Sequence, residues 1–194
     1  MNRCFDCGAF LIERKKIIVI SWSHKHSPLI FRDQLILASK EIDQYIHFSA
    51  RAFGVKESTA LSTCNRIEFY ILTESPVDVL KTIKNIYNKI LKRKIPWHKS
   101  PPKIYPGVKA ISHLCRVSAG MESMVLGESQ ILSQVKTAKQ ALIKSQPSSN
   151  SLSKLFNNAV HCAETIRSDS PLYTGPASIS ELTVITAKQM FDDL

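Results

Sequence analysis

Apolar and polar positions along the chain change period several times, and each change marks an element. The β-branched run 17–22 (IIVISW), closed by Lys15-Lys16 before it and Ser23-His24 after it, predicts a buried strand. From Pro28 to about Phe53 the chain is rich in Leu, Ile, Ala, Gln and Lys, with Gly54 as a stop, so a helical stretch is expected there. Two arms, 57–62 and 66–72, then flank the polar turn Thr63-Cys64-Asn65. In the second arm Ile67, Phe69 and Ile71 alternate with Arg66, Glu68 and Tyr70, which predicts a hairpin with one buried face.

Ser75-Pro76 offers an N-cap and a first-turn proline, with Asp78 near the positive helix end. Val79, Leu80, Ile83, Ile86, Tyr87 and Ile90 follow at helical spacing, giving an amphipathic helix with a basic outer side. A proline-broken linker, 95–102, leads to a short strand candidate at 103–105. The order strand, helix, strand, strand, helix, strand is the ferredoxin-like plan. Beyond Gly107 only helical periods remain: Ala110, Ile111, Leu114 and Val117 mark one helix, and Ile131, Leu132, Val135, Ala138 and Leu142 a second. Leu152, Leu155, Phe156, Ala159, Ala163 and Ile166 mark a third, and polar breaks at 146–151 and 168–176 precede a last helix from about Ser178 to Phe191. The expected class is α+β, a ferredoxin-like βαββαβ unit followed by a helical segment. It divides into an N-terminal extension 1–16, a domain 17–168, and a linker and helix 169–194.

Composition narrows the class. With 44% hydrophobic and 22% charged residues among 194, the chain can bury a real core. No apolar run approaches the ~20 residues that a membrane-spanning helix needs. Residues 1–16 carry Arg3, Arg14, Lys15 and Lys16 around a short apolar patch without a cleavage pattern, and read as an extension rather than a targeting leader. Five scattered cysteines suggest no disulfide framework, so a reducing, cytoplasmic setting is expected. Cys4 and Cys7 form a C-x-x-C pair, but neither Cys nor His follows until His24, so no metal site is expected.

The net charge of +10 is unevenly placed. Between Val79 and Met121 there is no Asp or Glu, while Lys81, Lys84, Lys89, Lys92, Arg93, Lys94, Lys99, Lys103, Lys109 and Arg116 all fall there. Such a block attracts a phosphate backbone by counterion release. A lysine-rich solvated helix face accounts for it equally well, and charge alone leaves both readings open.

Candidate chemistry centres on Cys64, in a tight turn beside Thr63, Asn65 and Arg66. A thiol that ionises and reaches a carbonyl is a nucleophile, and a guanidinium two residues away can favour the thiolate or grip a carboxylate with two teeth. A buried structural cysteine beside a hairpin turn is the competing reading, and the chemistry does not choose. In the segment 118–134 (SAGMESMVLGESQILSQ), Gly120 and Gly127 punctuate a loop, Glu128 sits near a helix start, and Gln130 and Gln134 share a face one turn apart. They form either a polar ligand wall or a solvated surface. His113, beside the apolar Leu114, reads as a satisfied structural residue, and His24 and His26 as a strand-end edge that faces either a ligand or solvent. All six glycines are isolated, so no nucleotide-phosphate cradle is evident.

Three segments taken in order resemble the glutamyl-tRNA reductase family: SHKHSP at 23–28, LSTCNRIEFY at 61–70, and HLCRVSAGMESMVLGESQILSQVKTA at 113–138. The resemblance implies that Cys64 is the nucleophile, that Thr63, Asn65 and Arg66 are its substrate-contacting neighbours, and that Ser123, Glu128, Ser129, Gln130 and Gln134 complete a glutamate pocket. Tyr105 stands where some members carry a catalytically important histidine, so an acid or base role there does not transfer directly. The implied reaction is NADPH-dependent reduction of glutamyl-tRNA to glutamate-1-semialdehyde through a cysteine thioester, the first step of five-carbon tetrapyrrole biosynthesis. NADPH would be bound by a further domain absent from this chain. Implied partners are glutamyl-tRNA, a second copy in a homodimer, and glutamate-1-semialdehyde aminomutase; no membrane is implied. The alternative is a glutamyl-tRNA-binding fragment with at most thioester-forming or esterase activity. The resemblance also favours the phosphate-binding reading of the basic block.

Overall fold

The computed structural model describes residues 16–74, 79–92 and 94–169, together with 183, 184 and 188. The 1–16 extension except Lys16, the Cys4-Cys7 pair, the Ser75-Pro76 cap with Asp78, Arg93 and almost all of the 169–194 segment lie outside the described residues.

Four strands, β1 (Lys16–Ser23), β2 (Val55–Ser62), β3 (Arg66–Thr73) and β4 (Lys103–Pro106), make one sheet in the order β2-β3-β1-β4. Every pairing is antiparallel: Ser23 lies opposite Arg66, Ser21 opposite Glu68, and Val19 opposite both Tyr70 and Tyr105. This is the expected ferredoxin-like order. Helices α1 (Leu29–Asp33), α2 (Ser39–Ser49) and α3 (Val79–Leu91) precede α4 (Val108–Ser118), α5 (Gln130–Ser145) and α6 (Asn150–Asp169).

Alternation along the strands builds two cores, one on each face. Ile18, Ile20, Trp22, Ala60, Ile67, Phe69 and Ile71 pack with Tyr45 and Ile46 of α2 and Ile83 and Tyr87 of α3. The other parity, Val19, Leu61 and Tyr70, packs with Leu114 of α4, Val135 of α5 and Phe156 of α6. The hairpin therefore does not have one buried face as expected: all eight residues of β3 are buried. The period correctly separates two faces, but it cannot tell a solvated polar face from one covered by later helices.

The single helical stretch expected from Pro28 to Phe53 is two helices. Leu35 and Leu37 in the break are 0% and 4% exposed. Tertiary partners take the backbone groups there, with the Tyr87 hydroxyl donating to the Leu35 carbonyl and the Leu37 N–H donating to Ser62 Oγ at 2.9 Å. The α2 start is then capped locally, the Glu41 carboxylate accepting the Ala38 N–H at 2.7 Å. Among the described residues no helix is long and apolar enough to cross a membrane.

Candidate active site

The β2–β3 hairpin closes through Thr63, Cys64 and Asn65. So short a hairpin loop usually needs left-handed backbone, which non-glycine residues rarely supply. None of the three has positive φ here. Instead the Thr63 hydroxyl accepts the N–H groups of Asn65 at 3.2 Å and Arg66 at 3.0 Å, while the Thr63 N–H donates to the Arg66 carbonyl at 2.9 Å. The Asn65 carbonyl accepts the His24 N–H at 2.8 Å, tying the turn to the end of β1. On this braced turn Cys64 is exposed, whereas Cys115 and Cys162 are partly covered. A buried structural cysteine is therefore ruled out at this position. Thr63 serves the turn with its own hydroxyl, a function distinct from the substrate contact expected of it.

Arg66 is 1% exposed. Its guanidinium donates to Glu68 Oε1 at 3.2 Å and to the backbone carbonyl of Glu122. Glu68, fully buried under α4, also accepts from Ser21 Oγ at 2.9 Å, from the Tyr70 hydroxyl at 2.6 Å and from His113 Nε2 at 2.9 Å. Burial pushes the Glu68 carboxyl up, but the His113 hydrogen bond and charge, the Arg66 charge and the Tyr70 hydroxyl outweigh it and hold the group at about 2. As an ionised carboxylate only accepts, His113 Nε2 carries the proton of that bond. Burial and the adjacent Glu68 charge push the Tyr70 hydroxyl well above its ordinary value.

His113 carries this network to the surface. Its ring stacks on Tyr105 with centroids 4.0 Å apart and planes 13° from parallel, and Lys103 Nζ lies 5.3 Å from the Tyr105 centroid. Beside them opens a cleft of about 470 Å³ walled by Ser23, Lys25, His26, Lys103, Tyr105 and residues of α4 including Lys109, His113 and Arg116, with Glu122 as its acid. The Glu122 carboxylate meets Lys25 Nζ at 2.5 Å and Arg116 Nε at 2.6 Å. Burial raises that carboxyl, and the two cations more than offset this, leaving it below its ordinary value. His24, next to the Cys64 turn, is held neutral to lower pH than usual by burial and by the charges of Arg66, Arg32 and Lys25.

The loop 119–129 that delivers Glu122 is pinched at its base. Gly120 has φ +76°, and a Cβ there would lie 3.1 Å from the Gly127 backbone. Ser123 follows Glu122 and is half-buried; Glu128, also half-buried, gives its carbonyl to Arg167 at 2.6 Å; Ser129 and Gln130 are exposed where α5 begins. Gln134 faces a second cleft of about 520 Å³, shared with Ser62 and Leu37. The structure thus gathers Thr63, Cys64, Asn65 and Arg66 at one turn, links Ser123 to them through its neighbour Glu122, and sets Tyr105 beyond Glu68 and His113. Gln134 stands on the opposite flank, and Cys64 lines neither cleft.

Sequence reasoning missed Glu68, Glu122 and the part played by His113. The available signal was Arg66, Glu68 and Tyr70 on one strand parity: three groups able to satisfy one another are a buried network as readily as a wet face. Among the described residues no group of three or more His, Cys, Asp or Glu is placed to hold a metal ion.

A family model described as glutamyl-tRNAGlu reductase, N-terminal domain, matches residues 20–170. Proteins named glutamyl-tRNA reductase from Alkalilimnicola ehrlichii, Trichodesmium erythraeum and a Synechococcus strain are 31%, 33% and 35% identical over 178, 180 and 176 residues. These alignments cover 91%, 92% and 89% of this chain but 39%, 41% and 40% of the relatives, so the chain spans about two fifths of their length. The solved structure of glutamyl-tRNA reductase from Methanopyrus kandleri superposes with a TM-score of 0.70 at 24% identity, over 92% of this chain and 41% of that one, a likeness of fold.

Proposed function

The chain belongs to the glutamyl-tRNA reductase N-terminal domain family, and from that premise we propose that it receives glutamyl-tRNA and takes the glutamyl group onto Cys64, within tetrapyrrole biosynthesis. The observation that carries the reading is the exposed thiol on a turn braced on both sides by hydrogen bonds. Its thiolate attacks the ester carbonyl at the tRNA 3′ end. A C–S bond forms, the C–O bond to the ribose breaks, and the departing oxygen takes a proton to leave free tRNA and a thioester.

Asn65, Ser123, Glu128, Ser129, Gln130 and Gln134 are the groups we assign to the glutamyl moiety, with Thr63 fixing the turn. Arg66 supports the reading from beneath, since both of its bonded arms are already engaged. A direct grip on the substrate carboxylate falls to the guanidinium's remaining N–H groups, since two of its five are engaged. Tyr105, at the histidine position, offers a hydroxyl rather than an imidazole. NADPH, the hydride donor that the family resemblance implies, does not fit the described residues: every strand pairing among them is antiparallel and their left-handed glycines stand singly, so they form no glycine-rich turn between neighbouring parallel strands to hold a pyrophosphate. No hydride step is assigned to this chain's own groups.

Intact-protein and peptide mass spectrometry after incubation with glutamyl-tRNA tests the proposal. A glutamyl adduct on the Cys64 peptide is expected, and none with Cys64→Ser. An adduct that survives this substitution, or one that is lost with Cys115→Ser in folded protein, overturns it.

A further inference from the structure

We propose that Glu122 is a positioning residue for acyl transfer to Cys64, holding the loop 119–129 and the end of β1 in register with the Cys64 turn; this rests on the reading of Cys64 as acyl acceptor. All three oxygens of Glu122 are engaged, each by a cation from a different part of the chain. Lys25, just past β1, reaches Oε2 with Nζ at 2.5 Å. Arg116 of α4 donates from Nε to Oε1 at 2.6 Å. Arg66 of β3 donates to the backbone carbonyl. Two of these links close a ring through the thiol's own turn. The Asn65 carbonyl accepts the His24 N–H at 2.8 Å, Lys25 follows His24 and meets Glu122, Glu122 meets Arg66, and the Arg66 N–H returns to the Thr63 hydroxyl at 3.0 Å. Cys64 lies between Thr63 and Asn65, and the Arg116 bond ties the ring to helix α4.

Folding stability does not account for such convergence. The side chains of Lys25 and Arg116 are 46% and 49% exposed, and ion pairs that open to water contribute little to stability. Geometry is what they fix. Ser123, assigned to the glutamyl group, follows Glu122 directly. The bond from Arg66 to the Glu122 carbonyl also sets where the remaining N–H groups of that guanidinium point. A misplacement of about 1 Å in a reacting arrangement can cost on the order of a hundredfold in rate, so a loosened Glu122 slows acylation without dismantling the site. Its charge gives the role a signature. Glu122 is the acid of the cleft walled by Lys25, Lys103, Lys109 and Arg116, and its removal leaves more positive charge uncompensated. Affinity for a polyanion then holds or rises. One substitution therefore lowers rate and not affinity, whereas unfolding or a lost RNA contact lowers affinity as well.

The test is single-turnover acylation of Cys64 by glutamyl-tRNA, quenched and read by mass spectrometry, alongside filter binding of uncharged tRNA. Glu122→Gln should lower the acylation rate at saturating glutamyl-tRNA about tenfold, while tRNA binds as tightly as before or more tightly. Glu122→Asp, which keeps the charge on a shorter arm, should be faster than Glu122→Gln. Lys25→Met breaks the same link from its exposed end and should slow saturated acylation likewise. Lys25→Met combined with Glu122→Gln should be no slower than the slower single variant, because both act through one contact. A saturated rate within about twofold of the unsubstituted protein in Glu122→Gln overturns the positioning role. So do equal rates for Glu122→Asp and Glu122→Gln, losses that multiply in the double variant, or a loss confined to tRNA affinity. Absence of any Cys64 adduct in the unsubstituted protein overturns the acyl-acceptor reading and the positioning role with it. An adduct that forms at a rate indifferent to Glu122 overturns the positioning role alone.

Discussion

Glu68 concentrates the energetics of the site on a single carboxylate with four donors. Its folded-state value is depressed, so the stability it contributes is present above the unfolded value near 4.3 and is lost as pH falls from there toward about 2. At about 1.4 kcal/mol per pH unit this is on the order of 3 kcal/mol. Urea titrations between pH 7 and pH 2.5 should show that fall in the parent. Glu68→Gln should be less stable at neutral pH and flatter across the acid range, and parallel curves for the two proteins would remove Glu68 from the acid response. Arg66→Lys retains the charge, yet one ammonium cannot span the Glu68 carboxylate and the Glu122 carbonyl as the planar fork does. Loss of one charged hydrogen bond predicts a cost of about 1.5–3 kcal/mol and at least a tenfold drop in Cys64 acylation by glutamyl-tRNA; activity within twofold would show the fork to be dispensable.

At the scale of elements, helix α6 begins without an acid of its own in the first turn, and a strand supplies one. Glu57 of β2, 7% exposed, accepts the N–H groups of Ser151 at 3.2 Å and Leu152 at 2.6 Å. It thus satisfies two donors that the helix cannot pair, and places a negative charge at the positive helix end. Glu57→Ala should cost about 1–2 kcal/mol, as cap removals do. A change in unfolding free energy below about 0.5 kcal/mol would mean that water replaces the carboxylate. The loop between α4 and α5 depends on a different local requirement. Gly120→Ala would force a left-handed alanine against the Gly127 backbone, so it should loosen Glu122 from Lys25 and Arg116. Faster hydrogen exchange confined to residues 119–129 is the expected signature, and an unchanged exchange profile would contradict it.

Across the whole molecule, the described members of the acid-free block do not form one surface. The α3 lysines ride on a helix packed against one face of the sheet, where Lys84 lies 5.7 Å from the Trp97 ring and Lys89 lies 4.4 Å from the Phe48 ring. Lys103, Lys109 and Arg116 surround the cleft on the opposite face. Neutralising Lys81, Lys84 and Lys89 together should therefore change tRNA affinity far less than neutralising Lys103, Lys109 and Arg116 together, in filter-binding titrations at several salt concentrations. Equal losses from both sets would restore the block as a single surface. Supplied with glutamyl-tRNA and NADPH, this chain should release glutamate rather than semialdehyde, because a thioester formed on the exposed Cys64 would meet water and the described residues form no glycine-rich turn for a dinucleotide. Semialdehyde formed by the chain alone would reveal a cofactor site outside them.

The strand and helix periods, being local, were legible from the sequence. They determined the βαββαβ order, the hairpin with Cys64 at its tip, the helical remainder and, through three motifs, the family. They could not decide what covers a polar parity, because that depends on helices more than forty residues away in the chain: Glu68 meets His113 across a separation of 45 residues and Arg66 meets Glu122 across 56. For the same reason the Pro28–Phe53 stretch read as one helix although Tyr87 and Ser62 hold its middle open. Cys64 could be named from its neighbours, but its exposure, the engagement of Arg66 and the division of the basic block between two faces were settled only by packing. Proximity between groups distant along the chain arises when burial of both apolar faces of the sheet fixes which helices lie over which side chains.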